Sequence, residues 1–327
     1  MTMKTGLMGL SIAALMSGAA MAETIGVSIA TFDDAFLTAL RGQIEAHASE
    51  LDGVEVQIED AQNDVGKQLN QIQNFAASGL DAIIVNPVDT DATQAMTQAA
   101  QNAGIPLVYV NREPVNRDEL PDNQAYVASD ETQSGTLLAT EVCRLLKEAG
   151  KGSGARIIVL VGELSNQAAR TRTQDVHDVV ATDDCSFMTI AEEQTANWSQ
   201  DEAENLMTNW LASDVKFDAV LANNDAMALG AIKAMKAGGV EMDTVIVGGI
   251  DGTAEALAAM KAGELDVTVF QDASGQAKEA VDTALKLAKG EAVEQTVHVP
   301  VEIVTPERVG DFEGRNGSVS STDPSAG

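Results

Sequence analysis

The sequence predicts an α/β fold built from two similar domains, each a parallel β-sheet with helices on both faces. Short, apolar, β-branched runs alternate with amphipathic helical stretches, which is the pattern of buried parallel strands joined by helices. Ten such runs are too many for one ordinary sheet of about five or six strands. A chain of 327 residues is long enough for two domains.

The ten runs divide into two sets of five. The first set is TIGVSIA, VEVQIE, AIIVNP, PLVYVN and AYVAS, and the second is RIIVLVG, FMTIAE, DAVLANN, TVIVGGI and LDVTVF. The stretches between them carry apolar stripes with helical spacing. One stripe is formed by Val65, Leu69, Ile72 and Ala76, and Gly79 is expected to end that helix. We assign these apolar residues to the core.

The N-terminus has the features of a secretory signal peptide. Lys4 precedes a short apolar run, residues 7–16, and small residues follow at Ala20 and Ala22. The run is too short to span a membrane as a helix. We therefore expect residues 1–22 to be cleaved after Ala22 and the mature chain to be exported to the periplasm. The alternative, a buried N-terminal helix, lacks an amphipathic pattern.

Charge and cysteine content narrow the class of protein further. The formal net charge of −30 produces a field that repels nucleic acid and anionic lipid. The only two cysteines of the sequence are Cys143 and Cys185. In an oxidising compartment such a pair suggests one disulfide, with two separately buried thiols as the alternative.

The sequence lacks the motifs of an enzyme or a metalloprotein. His47, His177 and His298 lie in unrelated segments without ligand spacing. It contains no phosphate-binding loop, nucleophile elbow or dinucleotide fingerprint. Residues 60–64 lack the spacing of a calcium loop. We therefore expect no catalytic residue, no metal and no cofactor.

Polar side chains follow most of the predicted strands at the point where each strand ends. Ligands of open α/β sheets bind outside the carboxyl ends of the strands, so we expect these side chains to converge on one cleft. Taken singly, each is more often a helix N-cap or a loop residue, but their repetition favours a binding site. The aromatic Phe32 opens the first of these strand ends. The polar residues are Asp33, Asp34, Asp60, Asn86, Asp89, Asn111, Arg112, Asn223, Asn224, Asp225, Asp251 and Gln271.

Motifs spread over residues 23–306 share one resemblance. They are ATFDDAFL, NPVDTDA, VNREP, ASDETQSG, GELSNQAARTRTQDVH, QTANW, NNDAMALGAI, GGIDGT and VTVFQ. The chain resembles the ribose-type periplasmic solute-binding proteins of ABC importers, and within that family it looks most like the inositol and rhizopine binders. The resemblance implies a type I periplasmic binding protein, whose two lobes are joined by crossover hinge strands.

Carried over to this chain, the resemblance assigns a set of ligand-binding residues. A ring polyol has apolar faces and a rim of hydroxyl groups, so aromatic groups suit its faces and hydrogen-bonding side chains suit its edge. In ribose binders the dipeptide at Asn111 and Arg112 is commonly Asp-Arg, so the amide disfavours a strict ribose site. The predicted ligand-binding residues are Phe32, Asp34, Phe36, Asn86, Asp89, Asn111, Arg112, Arg172, Trp198, Asn224, Asp251 and Gln271.

Two of these residues have a competing interpretation. Arg172 is also spaced to pair with Asp175, one turn further along a helix, although exposed pairs of this kind contribute only about 0.2–0.5 kcal/mol. Trp198 replaces a smaller aromatic residue of the ribose group, and its wider face suits a six-membered ring. It is alternatively a core aromatic.

The resemblance also predicts the domain boundaries. The first lobe comprises residues 23–127 and 272–300, and the second comprises residues 128–271 and 301–307. Residues 308–327 are rich in Gly, Ser and Asp without apolar periodicity, so we expect a disordered tail.

The functional hypothesis is a monomeric carrier that closes on myo-inositol, or on a related monosaccharide, and delivers it to an ABC permease in the inner membrane. Ribose, xylose, galactose or a rhizopine remain open as ligands. A ligand sensor that docks on a chemoreceptor or a histidine kinase is a second hypothesis. A regulator of the lac-repressor type needs a basic helix-turn-helix where the signal peptide stands, and a sugar-converting enzyme needs catalytic groups that the motifs do not supply.

Overall fold

The computed structural model describes residues 22–316, and these residues alternate strand and helix throughout. The strands are β1 (Glu23–Ile29), β2 (Val54–Asp60), β3 (Ala82–Val85), β4 (Leu107–Val110), β5 (Gln124–Ala128), β6 (Ala155–Val161), β7 (Met188–Thr195), β8 (Ala219–Ala222), β9 (Ile246–Asp251), β10 (Val267–Gln271), β11 (Thr296–His298) and β12 (Val301–Val304). The helices are α1 (Ala35–Glu50), α2 (Val65–Ser78), α3 (Thr93–Ala103), α4 (Glu131–Glu148), α5 (Gln167–Val180), α6 (Gln200–Ala212), α7 (Asp225–Ala237), α8 (Ala254–Lys261) and α9 (Ala273–Ala288).

The strands form two six-stranded sheets, one in each lobe. The first has the order β11-β5-β4-β3-β1-β2, and the second has the order β12-β10-β9-β8-β6-β7. The paired strands are parallel except for β12, which runs antiparallel to β10. The predicted fold class is therefore confirmed. β11 and β12 are additional to the ten predicted runs.

The chain passes between the lobes at three places: β5 to α4, β10 to α9, and β11 to β12. Because α9 packs against β3, β4 and β5, the first lobe regains chain after the second has been built. In each sheet, strand order reverses beside the strand that begins the lobe. Such reversals, at β1/β3 and β6/β8, open a crevice at the carboxyl ends of the strands.

Apolar side chains cover both faces of each sheet, as continuous apolar strands require. Ile84 and Val108 face one cluster of the first lobe, whereas Ile83 and Leu107 face the other. The predicted helix α2 ends at Gly79, whose φ of 73° is a left-handed conformation that favours glycine. Within residues 22–316, no helix is both long and apolar enough to cross a membrane.

The C-terminal segment corrects one expectation. Residues 308–316 are ordered, although disorder was expected from residue 308 onward. Val309–Asp311 form a short 3-10 helix, and Phe312 is 1% exposed in the second lobe. Val309 and Phe312 are the buried apolar residues of this segment, and two such residues are too few to give a periodic pattern in the sequence. Residues 317–327 and the predicted signal peptide, apart from Ala22, lie outside the described residues.

Cys143 and Cys185 form a disulfide that links α4 to the turn before β7. Replacing both with serine is expected to lower the free energy of unfolding by about 2–4 kcal/mol, because the bridge closes a loop of 42 residues in the unfolded chain. Ligand affinity should stay unchanged, because Cys185 lies at the amino end of β7, opposite the cleft. Denaturant titration and calorimetry measure the two quantities. Equal stability of the variant and of the disulfide-bonded wild type, both measured without reductant, would contradict this expectation.

Candidate ligand-binding site

Strand ends of both lobes surround one cavity with about 350 Å³ of empty space, part of which is open to solvent. The lining residues are Asp34, Phe36, Leu37, Asn111, Arg112, Glu131, Asn166, Ala168, Arg172, Trp198, Asn224, Asp251 and Gln271.

Nine of the twelve predicted site residues are in that set. The other three are placed elsewhere, which corrects the prediction. Asn86 is fully buried beneath the strand ends, where its amide donates to the backbone oxygen of Val110 and to Asn111. Asp89 caps a short 3-10 helix by accepting from Asp91 N. The Phe32 ring packs on the apolar core of the first lobe, and its centre lies 4.0 Å from the guanidinium carbon of Arg41.

Four lining residues were missed by the sequence analysis: Leu37, Glu131, Asn166 and Ala168. Glu131 follows β5 and Asn166 follows β6, so the strand-end rule covers both of them. Both were overlooked because their positions also suit an ordinary structural role: Asn166 is the N-cap of α5, and Glu131 is the first residue of α4. Leu37 and Ala168 are apolar helix residues and carry no signal of a site.

The first lobe contributes one acidic and one basic side chain to the cavity lining, Asp34 and Arg112. Asp34 is the N-cap of α1, and its Oδ1 accepts from Leu37 N at 2.8 Å. Arg112 donates through Nη1 to the backbone oxygens of Pro87 at 2.9 Å and Val88 at 3.3 Å. Burial lowers the pKa of Arg112, and the nearby carboxylates of Glu163 and Asp34 oppose that shift. These bonds hold the guanidinium group in place through Nη1.

The second lobe is organised around a buried ion pair. Arg172 Nε donates to Glu131 Oε2 at 2.5 Å, and Nη1 donates to the backbone oxygen of Asn223 at 2.7 Å. Both charged side chains are at most 5% exposed. Burial works against the charged form of Arg172, but the Glu131 carboxylate outweighs it and the pKa is raised overall. The partner of Arg172 is therefore a carboxylate on another helix, and Asp175 acts on it only as a nearby charge.

The Trp198 ring lies on the backbone of Gly162. A Cβ atom at Gly162 would stand 2.3–2.4 Å from three atoms of the indole, so only glycine leaves room for the ring. Trp198 itself has φ 63°, an unfavourable conformation for a bulky residue. Asn224, the N-cap of α7, donates to the Trp198 backbone oxygen at 3.4 Å. The ring lines the cavity and also packs at the edge of the core of the second lobe.

Asp251 and Gln271 form a hydrogen-bonded pair at the ends of β9 and β10. Gln271 Nε2 donates to Asp251 Oδ1 at 2.7 Å, and both side chains are buried. Burial, and then the charge of Asp225, raise the pKa of Asp251 well above its usual range. Asp225 accepts from Thr268 and Thr253, yet burial raises its pKa to about 6. Two buried carboxyl groups with raised pKa values therefore lie close together inside the second lobe.

Three lining side chains carry a buried polar atom without a hydrogen-bond partner: Glu131 Oε1, Gln271 Oε1 and Trp198 Nε1. A buried polar atom left unpaired costs about 1–3 kcal/mol, so such atoms are uncommon in folded proteins. Two of them accept hydrogen bonds and one donates. A solute with hydroxyl groups, each both donor and acceptor, satisfies this set.

Comparison with known proteins supplies the family. The model of the periplasmic binding protein domain matches residues 25–292. The chain belongs to the periplasmic binding protein family. Members of this family are solute-binding proteins.

Three similar proteins narrow the place of the chain within the family. A Rhizobium meliloti protein named "Putative rhizopine-binding protein" is 60% identical, covering 96% of this chain and all of its own. The ribose import binding protein RbsB of Bacillus subtilis is 30% identical, covering 86% of this chain and 87% of its own. The crystal structure of a Bacillus halodurans ABC transporter solute-binding protein with bound myo-inositol is 41% identical, with a TM-score of 0.83. It covers 91% of this chain and all of that one.

The two lobes of this periplasmic binding protein touch at the rim of the cleft. Thr90 of the first lobe donates through N and Oγ1 to the Ser165 backbone oxygen of the second, at 3.1 and 3.0 Å. Gln167 N donates back to Thr90 Oγ1 at 3.1 Å. Arg170 pairs with Asp91 at 3.3 Å. The lobes are therefore in a closed arrangement, held together outside the cavity as well as around it.

Asp175 lies behind Arg172 and gives stability a pH dependence. Burial, followed by the charges of Asp178, Glu131 and Asp130, raises the pKa of Asp175 to about 7. A carboxyl group with a raised pKa binds more protons in the folded than in the unfolded protein, so its penalty on folding grows as pH rises from about 4 to about 7. Asp175→Asn is therefore expected to raise the Tm above wild type at pH 8, with a gain that shrinks toward pH 4.

Asp52→Asn is the matched control, because Asp52 is exposed in the turn between α1 and β2. Its effect on the Tm should be small at every pH. Calorimetric scans of the three proteins from pH 4 to pH 8 provide the measurement. A gain for Asp175→Asn that is the same at both ends of this range would contradict the assignment.

Proposed function

We propose that this protein captures a cyclitol, myo-inositol or a close relative, between its two lobes and delivers it to an ABC importer. The observation that carries the proposal is the cavity bounded by both lobes, three of whose lining residues, Glu131, Gln271 and Trp198, carry a buried polar atom without a hydrogen-bond partner. The Bacillus halodurans structure with bound myo-inositol and the rhizopine-binding relative support a cyclitol as the solute.

Each side chain has a role in this proposal. Asp34, Glu131 and Asp251 accept from ligand hydroxyl groups, while Arg112 and the Trp198 indole donate to them. Phe36 and the Trp198 ring offer flat apolar groups to the faces of the solute. A hydrogen bond to a charged group in such a site contributes about 1.5–3 kcal/mol, so a few of them account for strong binding.

Closure couples binding to delivery. Residues 23–127 with 272–300 move against residues 128–271 with 301–307 about the three crossovers, and the solute stabilises the closed state through contacts made to both lobes. The closed pair of lobes is then the form that the permease engages. Export through the N-terminal signal peptide places the protein, as a monomer, in the periplasm.

Isothermal titration calorimetry of residues 23–327 against cyclitols, pentoses and hexoses tests the proposal. We expect myo-inositol or a close cyclitol to bind with micromolar or tighter affinity. Binding of ribose or another aldose in its place, which the RbsB relative favours, would overturn the choice of ligand but leave the carrier role intact. Failure of every solute to bind would overturn the carrier role.

A transport measurement separates the carrier from a sensor. Deleting the gene should abolish uptake of the solute identified by calorimetry. Loss of chemotaxis toward that solute with normal uptake would instead indicate a protein that serves a chemoreceptor.

A further inference from the structure

The C-terminal segment, residues 308–316, packs across the crossover from β10 to α9. The Phe312 ring packs against Phe270 of β10, with centroids 5.1 Å apart. Arg315 forms ion pairs with Glu302 at 3.0 Å and Asp272 at 3.6 Å, and its guanidinium carbon lies 4.3 Å from the Phe270 ring centre. The segment therefore brings its last described residue, Asn316, onto the point where the chain leaves the second lobe.

Asn316 makes three hydrogen bonds at that point. Its Nδ2 donates to the backbone oxygens of Gln271 at 2.7 Å and Asp251 at 3.1 Å, and its Oδ1 accepts from Ala273 N at 3.0 Å. The pairing of β9 with β10 ends at Asp251 and Phe270. Gln271 thus lies one residue beyond the last β9–β10 pair, although it still pairs with Val301 of β12. The Asn316 amide bridges β9 and β10 where their own pairing has ended.

The two strand ends that Asn316 joins carry neighbouring residues of the cavity wall. Gln271 and Asp251 both line the cavity and are hydrogen-bonded to each other. Asp251 has φ 135°, a sparsely populated conformation that persists only where surrounding contacts enforce it. Ala273 begins α9, which packs on the first lobe. One buried amide therefore connects two wall residues of the second lobe with the first residue of a helix in the other lobe.

We propose that Asn316 is a positioning residue of the solute site, which holds Asp251 and Gln271 in their binding geometry and ties them to the start of α9. The proposal rests on the proposed function for its effect on affinity. Asn316→Ala is expected to weaken solute binding about tenfold, which is the equivalent of one or two lost hydrogen bonds. Asn316→Asp keeps the acceptor for Ala273 but loses both donated bonds, so it should weaken binding at least as much.

The test compares Asn316→Ala with Asn209→Ala, an exposed asparagine of α6, in the full mature chain. Calorimetry with myo-inositol measures affinity, and a thermal scan without solute measures stability. A residue that is merely structural lowers the Tm of the variant and leaves its affinity unchanged, which would overturn the proposal. A double-mutant cycle adds a second criterion, because in a Gln271→Ala background the further loss from Asn316→Ala should be much smaller. A loss that stays undiminished there would show that Asn316 does not act through Gln271.

Hydrogen exchange without solute separates this proposal from the proposed function. Asn316→Ala is expected to speed exchange of the Ala273 amide, whereas Asn209→Ala is not. If no solute binds even the wild-type protein, the proposed function fails and the exchange result still decides the positioning role. Unchanged protection of Ala273 would overturn that role whatever the solute.

Discussion

Replacing Arg172 with alanine is expected to abolish measurable solute binding and to lower the free energy of unfolding by about 3–5 kcal/mol. The guanidinium group is the counter-charge of Glu131 and also donates to the Asn223 backbone oxygen. Without it, the Glu131 carboxylate remains buried and uncompensated beside the cavity. Denaturant titration and calorimetry measure the two effects.

Arg144→Ala is the matched control for this variant. Arg144 is exposed on α4 and pairs with Glu141 and Glu148 at the surface, so its loss should cost at most about 1 kcal/mol. The double variant Glu131→Gln with Arg172→Met removes both buried charges. It is expected to recover much of the stability but none of the binding. An Arg172→Ala protein as stable as the Arg144→Ala protein would contradict the description of Glu131 as a buried charge.

Replacing Gly162 with alanine is expected to weaken solute binding by one to two orders of magnitude. The new methyl group would overlap the Trp198 indole, and overpacking of this kind costs about 1–3 kcal/mol. The backbone cannot retreat, because Gly162 N donates to Asn223 Oδ1 at 3.1 Å and Gly162 O accepts from Thr195 Oγ1 at 2.9 Å. The ring must therefore move, and calorimetry with Trp fluorescence reports both the affinity and the displacement.

Gly42→Ala serves as the control, because a Cβ atom at that position in α1 meets no atom within 4 Å. A double-mutant cycle with Trp198→Ala identifies the route of the effect. In that background the added methyl group should change affinity little, since no ring is left to displace. Wild-type affinity of Gly162→Ala itself would show that the placement of the indole does not matter to the solute.

The sequence predicts the fold and most of the cavity wall for the same reason. In a parallel sheet all strands end at one edge, so residues that follow strands of the same sheet, such as Asp34 and Arg112 in the first lobe, are brought together by topology alone. Apolar runs mark where each strand ends without any knowledge of the tertiary structure. Knowing the ends is sufficient to nominate the polar residues that follow them.

The sequence fails where the contacts of a side chain, rather than its place after a strand, decide its role. Asn86 follows β3 as predicted, but its amide turns beneath the strand ends to bond Val110 O and Asn111. Glu131 follows β5 and reaches the cavity, yet it reads as an ordinary acidic residue in the first turn of a helix. Asn316 lies in a segment without apolar periodicity, and three hydrogen bonds to distant backbone atoms leave no trace in the local sequence.

In the proposed complex, side chains of both lobes bind one small uncharged ring. A crystal structure of residues 23–327 grown with myo-inositol tests it most directly. We expect the ring in the cavity, with hydrogen bonds to Asp34 or Arg112 of the first lobe and to Glu131 or Asp251 of the second, and with Trp198 against one face. A ring bound to one lobe alone, or outside this cavity, would contradict it.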